Sequence, residues 1–365
     1  MRLDTIAITN FKNIADARLE FSGNVNCLLG NNGMGKSNLL DAIYTLSFTK
    51  SFSGLPDLQL IRRGEGFATL RGHYTRRGAS EELAMGLQPG RRKSFKRMGK
   101  EYDRLSSHIG AFPLVMASPA DSALVTGTGE ERRRFMDQVI SQGDPTYLDA
   151  LIRYGRALQQ RNRLLRDHVA DHRLFDAIET ALEGPAAYIT RRRAEWVDEL
   201  TEIFGRYYHA VASPGETPAL RLSAHLAQGK TMTAILNEAR RHDEAVGHTS
   251  VGPHRDDIDL QLDGMGVRRT ASQGQQKTYV LALRLAQYEF LARATGMKPL
   301  LLLDDVFDKL DATRVERLVE MVASERFGQI FITDTNRTHL DSIMGRSGGD
   351  HRTWAVDHGG FTLLG

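Results

Sequence analysis

One cysteine, Cys27, stands in 365 residues. A disulfide framework is therefore excluded, and a lone thiol inside an apolar run reads as core packing in a reducing compartment. No run approaches the roughly 18 consecutive apolar residues of a membrane helix, and the opening Met1-Arg2-Leu3-Asp4-Thr5-Ile6 has no apolar signal core. These absences predict a cytoplasmic protein with no membrane partner. A strong charge of one sign is also missing, since 48 Lys and Arg face 45 Asp and Glu for a net +3. The basic residues are clustered, so this average understates local patches. His254, in the polar turn Gly252-Pro253-His254-Arg255-Asp256-Asp257, is the one histidine of that turn and reads more simply as structural than as a metal or acid–base site. A composition that is 41% hydrophobic and 25% charged suits a soluble globular chain of two or three domains.

The strongest local signal is Gly30-Asn31-Asn32-Gly33-Met34-Gly35-Lys36-Ser37, which fits G-x-x-x-x-G-K-[ST]. Val25-Asn26-Cys27-Leu28-Leu29 before it reads as a buried strand. Residues 38–46 after it read as a helix with Leu39, Leu40, Ile43 and Leu46 on one side. Glycines let the loop curl its N–H groups into one anion-binding concavity, and the helix start adds its dipole. Lys36 supplies a point charge for the outer phosphates of ATP, and the Ser37 hydroxyl is a ligand for Mg²⁺.

Residues 1–29 alternate like strands, and 67–104 read as a β-meander ending in Arg91-Arg92-Lys93-Ser94-Phe95-Lys96-Arg97-Met98-Gly99-Lys100. Six cations surround Phe95 there. Two readings stay open: a hairpin that contacts DNA phosphates, or a solvated edge strand protected by charge. Helical periodicity dominates from about 128 to 210, with Gly184-Pro185 as a break, and defines an inserted helical domain. That insert is arginine-rich: Arg132-Arg133-Arg134, Arg153, Arg156, Arg161, Arg163, Arg166 and Arg191-Arg192-Arg193. Solvated helix faces account for most such residues. The DNA-contact candidates are Arg91, Arg92, Lys93, Lys96 and Arg97, then Arg132, Arg133 and Arg134. The expected limits are 1–120 for the first part of the ATPase domain, 121–215 for the insert and 216–365 for the second part.

The C-terminal third completes a site. Ser272-Gln273-Gly274-Gln275-Gln276 opens an apolar helix and offers another anion-binding terminus, or an ordinary N-cap. Pro299-Leu300-Leu301-Leu302-Leu303-Asp304-Asp305 reads as a buried parallel strand ending in two carboxylates, where ligands sit in open α/β sheets. Asp304 is placed to hold Mg²⁺, and Asp305 to orient or deprotonate an attacking water. Leu310-Asp311 follows. Thr333-Asp334-Thr335-Asn336 ends another buried strand where a γ-phosphate sensor is expected, with no histidine among the four. Two anion-binding helix starts suggest a two-fold dimer in which residues 272–276 of one subunit close over residues 30–37 of the other.

This order of motifs resembles the SMC-like group of ABC-type ATPases and, within it, the RecF family of bacterial recombination mediators. Residues 30–37, Ser118-Pro119 with Asp121, Arg132-Arg133 with Phe135 and Asp137, 252–257, 272–276 and 302–305 carry the resemblance across essentially the whole chain. It implies an α/β fold: an ABC-type P-loop ATPase head with a mixed sheet and a β-meander, plus the helical insert. It implies slow, DNA-dependent ATPase activity that acts as a binding switch, with ATP and Mg²⁺ as cofactors. It further implies ATP-bound homodimers on gapped DNA or single/double-strand junctions, and work with RecR and RecO in loading RecA. Asp311 takes the D-loop position, although the preceding Val306-Phe307-Asp308-Lys309-Leu310 departs from the expected Ser-Glu-Leu pattern. Lys12 stands where the family often has Arg. A transporter's nucleotide-binding subunit is the main alternative, but its signature would begin with leucine. A P-loop kinase explains neither the second anion-binding turn nor the insert.

Overall fold

The computed structural model describes residues 1–365 except 213–214, 227–228, 308–309, 323, 325, 347–349 and 365. The chain forms two compact units: Met1–Asp121 with Ala210–Ala212 and Leu281–Gly365, and Ser122–His209 with Ser213–Val280. Residues 216–280 were expected with the ATPase half and belong instead to the unit that holds the insert. The reason is strand pairing. Pro218–Ser223, Asp257–Leu262 and Met265–Gly266 pair among themselves as a three-stranded antiparallel sheet and join neither large sheet.

The first unit contains two six-stranded sheets. One is antiparallel, in the order Ile14–Glu20, Arg2–Phe11, Ala68–Arg76, Ala79–Leu87, Ser94–Arg97, Lys100–Glu101. Period-two alternation buries Leu70, Tyr74, Leu83, Met85, Leu87 and Phe95 on its inner face and leaves Thr69, Arg71 and His73 outside. The other runs Gly360–Leu363, His351–Asp357, Val25–Leu29, Ile330–Asp334, Leu300–Asp304, Leu114–Ala117, all parallel except the first pair. Its central strands Leu300–Asp304 and Ile330–Asp334 are buried at every residue, which is why they read as unbroken apolar runs.

The helix Lys36–Phe48 packs against strands of both sheets. Sandwiched in this way it is buried nearly all round, not on one side as its pattern suggested, and its apolar content is that of a helix with no wet face. Its buried Asp41 is neutralised by Lys12 at 2.5 Å and accepts from Ser51 Oγ and the Phe52 amide.

The second unit is mainly helical: Gly129–Gly143, Pro145–Arg166, His172–Val211 and Met232–Val246. Thr128 and Glu131 form a capping box on the first, and the Asp144 side chain caps the second, with Pro145 in the first turn. The expected break at Gly184-Pro185 does not occur. The helix His172–Val211 runs through Pro185, where burial of Leu182, Ala186 and Ile189 on the same stretch outweighs one missing backbone bond. Among the described residues no helix is long and apolar enough to cross a membrane.

Candidate nucleotide-binding site

The loop between strand Val25–Leu29 and helix Lys36–Phe48 is shaped by two glycines that no other residue can replace without strain. A Cβ on Gly30 would lie 2.3 Å from the Val356 carbonyl oxygen. Gly35 is the N-cap at φ 117°, and a Cβ there would meet the Asn13 amide at 2.9 Å. No side chain caps this helix. Its leading amides are thus left for an anion. Asn31, Asn32, Gly33 and Ser37 are exposed around the opening, and Met34 packs on the core. Lys36 is only 3% exposed, and its Nζ donates to the Gly30 and Asn31 carbonyls at 2.7 and 3.1 Å. The cation is held over the loop by two neutral acceptors that a phosphate can displace.

Beside the loop, a connected set of oxygens closes the strand ends. Ser37 Oγ donates to Asp304 Oδ1 at 2.9 Å, and Thr333 Oγ1 donates to the same oxygen at 2.8 Å. Thr333 Oγ1 in turn accepts the Asp305 N–H at 3.0 Å. The register that pairs Asp304 with Thr333 makes this possible. Burial pushes the Asp304 carboxyl above its ordinary range, against the hydrogen bonds from Thr333 and Ser37. Asp305 lies in the left-handed region at φ 46°, an uncommon conformation for a residue with a side chain. The next strand end carries Asp334, whose backbone carbonyl accepts the Gly30 amide and whose carboxylate accepts from the Asn336 amide at 2.8 Å. No histidine falls within 333–336, but His339, in the first turn of helix Arg337–Arg346, brings Nδ1 to 2.8 Å from Asp334 Oδ2 and its ring against Phe307. This residue escaped the sequence reading; the signal was its place one helical turn past the strand end. Asp121 accepts a bidentate pair from buried Arg284 at 3.1 and 2.6 Å, a partner equally unforeseen. Asp311 is exposed and takes the Arg314 amide at 3.0 Å as a helix cap. Asp308 and Lys309 lie outside the described residues.

In the second unit, Ser272 and Gln275 form a reciprocal cap on the helix Gln273–Thr295: the Ser272 amide donates to Gln275 Oε1 at 2.7 Å, and the Gln275 amide donates to Ser272 Oγ at 3.2 Å. Gln275 also donates to Glu216, and Gln276 to the Ala271 carbonyl. Ser272 and Gln273 are exposed, and Gly274 is half-buried.

The basic candidates divide sharply. Arg91, Arg92 and Lys96 are exposed. Lys93 instead donates to the Thr49 carbonyl and Asp57, and Arg97 grips Glu81 through two hydrogen bonds at 2.5 and 2.6 Å. Arg132 clamps Asp257 at 2.7 Å through Nε and Nη2, and Arg133 donates to the Asp256 carbonyl. Only Arg134 of that trio is exposed, beside Glu130. Arg161 and Arg193, expected on wet helix faces, are buried. Arg161 meets Glu179, Asp243 and Thr249; Arg193 meets Asp137, Asp256, Tyr147 and the Pro253 carbonyl. A buried guanidinium needs charged partners, and those of Arg193 tie down the 252–257 turn through Pro253 and Asp256. His254 in that turn contacts the Tyr154 hydroxyl and the Thr249 carbonyl, and burial lowers its pKa to about 4. Among the described residues no group of three or more His, Cys, Asp or Glu is arranged to hold a metal.

A family model described as the RecF/RecN/SMC N terminal domain matches residues 2–345. A solved Smc head domain from Pyrococcus furiosus superposes with a TM-score of 0.59 at 16% identity, covering 99% of this chain and 95% of that one. That likeness is one of fold. The family match, together with the loop and its carboxylates, defines the class: a P-loop ATPase fold with an ABC-type, SMC-like head. The DNA replication and repair protein RecF of Phocaeicola vulgatus is 47% identical over 365 residues, spanning 99% of this chain and 98% of that protein. The RecF of Porphyromonas gingivalis is 44% identical over 360 residues, spanning 98% and 99%. A structure of the recombination mediator protein RecF with ATP, in the RecFOR pathway, gives a TM-score of 0.88 at 28% identity, covering 100% of this chain and 99% of that one. The chain belongs to the RecF family.

Proposed function

We propose that this chain is an ATP-switched DNA clamp of replication and repair. ATP occupies residues 30–37, with Lys36 on its outer phosphates. Ser37 and Asp304 hold Mg²⁺; two hard oxygen donors 2.9 Å apart at the loop suit an ion that keeps most of its shell as water and phosphate. When bound, the ion neutralises charge on the transferring phosphoryl group. Asp305 orients the attacking water, its backbone fixed by Thr333. Residues 272–276 of a second copy close the site, and Asp311 lies at the same junction. DNA is held mainly through phosphates, at gaps or single/double-strand junctions, with little sequence preference. RecR and RecO are the protein partners, and RecA is served through them. The relatives' names support the replication and repair role, and the RecFOR description of the solved relative supports the partners.

The observation that carries this reading is the Ser37–Asp304–Thr333–Asp305 chain of hydrogen bonds at the P-loop. ATP hydrolysis should be slow, rise when gapped DNA is added, and vanish in Asp304→Asn while ATP is still bound. Hydrolysis that is indifferent to both DNA and this substitution would reject the assignment.

A further inference from the structure

The outer face of the antiparallel sheet carries a feature the clamp reading does not use. Phe67 opens the strand Ala68–Arg76 on the wet side and is 46% exposed. It lines a cleft of about 330 Å³ together with Gln88, Arg91 and Arg92. The cleft floor is Gly86, where an added Cβ would meet only Ser94 Cβ, at 3.9 Å. Cross-strand register extends this floor into a lane. Thr69, Gly86 and Ser94 lie abreast, and the next row is Arg71, Ala84 and Lys96, small in the middle with a cation on either side, Arg71 also facing Glu82 at 3.8 Å and Lys96 standing opposite Glu101. Lys93 and Arg97, on the opposite face, are consumed by Asp57 and Glu81. Arg91 and Arg92 make no ion pair among the described residues. An exposed aromatic ring with an amide and two unpaired guanidiniums around a shallow cleft is the chemistry of a stacked base with its phosphates.

We propose that the cleft at Phe67, Gln88, Arg91 and Arg92 takes one unpaired nucleotide of DNA, its base on the Phe67 ring and its flanking phosphates on the two arginines. A duplex presents phosphates but keeps its base faces covered, so Phe67 distinguishes an unpaired strand from a blunt helix. The lane past Arg71 and Lys96 continues the strand, which favours a polymer over a free nucleotide. The inference rests on the DNA-clamp reading and gives that reading its preference for gaps and junctions.

The test compares the full-length protein with Phe67→Ala, Phe67→Trp and Arg91→Ala/Arg92→Ala. Affinities are measured by fluorescence anisotropy, with ATP and Mg²⁺, for oligothymidine, a gapped duplex and a blunt duplex. Phe67→Ala should bind oligothymidine and the gap about tenfold more weakly, the ratio expected for one lost stacking contact, and bind the blunt duplex within about twofold of the parent. Oligothymidine should quench the added indole of Phe67→Trp. The double arginine variant should lower the salt slope on oligothymidine by about 1.4, or two phosphates. Equal losses on all three DNAs, or none, overturn the proposal. So does quenching by thymidine monophosphate as strong as by the strand at equal nucleotide concentration, which would mark a free-nucleotide site. A parent protein that binds none of the DNAs refutes the clamp reading itself. A parent that binds them while Phe67→Ala is unchanged refutes only this inference.

Discussion

Two helix starts in this molecule offer amides to an anion, and they are finished in opposite ways. Helix Lys36–Phe48 begins at a left-handed glycine with no side chain on its amides. Helix Gln273–Thr295 begins with Ser272 and Gln275 already satisfying each other's backbone. The first leaves its amides to a ligand, and its Lys36 donates to two neutral carbonyls that a phosphate can replace. The second is complete without a ligand. Yet Ser272 Oγ only accepts in the cap, so its O–H remains a donor. A capping serine can thus reach outward to a phosphate of another subunit without giving up its own helix. The difference teaches that one terminus leaves its amides to a ligand and the other satisfies its own; on the proposed reading the first carries affinity for ATP and the second reports that ATP is there.

Breaking the first terminus has the largest expected effect. Lys36→Ala should lower ATP affinity about 100-fold, as expected when a charge-assisted contact of about 3 kcal/mol is lost, while the fold survives because the freed carbonyls lie in an open loop. Titration with a fluorescent ATP analogue, alongside circular dichroism, checks both halves. Sharpening the second requires separating cap from contact. Aspartate caps as well as serine but repels phosphate, so Ser272→Asp should keep thermal stability and weaken ATP-dependent dimerisation at least tenfold. A variant that still dimerises with unchanged affinity would return residues 272–276 to a purely structural role. Ser272→Ala should cost about 1 kcal/mol of stability with or without ATP, visible in denaturant unfolding.

Acid compares the two units. His108 lies between the Leu46 carbonyl and the Tyr102 hydroxyl, and burial lowers its pKa to about 4, as it does for His254 in the other unit. Both are neutral when folded and take a proton near pH 6.5 when unfolded. The stability each contributes is complete above about pH 6.5 and is lost as pH falls toward 4, by about 1.5 kcal/mol per histidine between pH 6.5 and 5. Asp256, raised by burial, acts in the opposite direction and only nearer its own lower range. Denaturant midpoints at pH 7 and pH 5 measure the loss, and equal midpoints would contradict it.

The parts legible in the sequence are those whose chemistry is local. The P-loop is eight consecutive residues with its strand and helix attached, and the apolar run into Asp304 announces a buried strand by itself. The illegible parts depend on partners far along the chain. Arg161 looks like any helix-face arginine until Glu179 and Asp243 surround it, and Arg193 until Asp137 and Asp256 do. Lys93 and Arg97 resemble Arg91 and Arg92 in sequence and are told apart only by which face of the strand meets Asp57 and Glu81. Thr333 was visible as a strand end, but its hydroxyl bridge between Asp304 and Asp305 needed the inter-strand register. At Pro185 a sound local rule was overruled by packing.

On the proposed reading, ATP joins two copies through Ser272. Light scattering should measure the mass of the parent, Lys36→Ala and Ser272→Asp without nucleotide, with ATP and Mg²⁺, and with gapped DNA added. ATP should double the parent's mass, DNA should promote the doubling, and both variants should stay monomeric. A parent that binds ATP yet remains monomeric in all three conditions would contradict it.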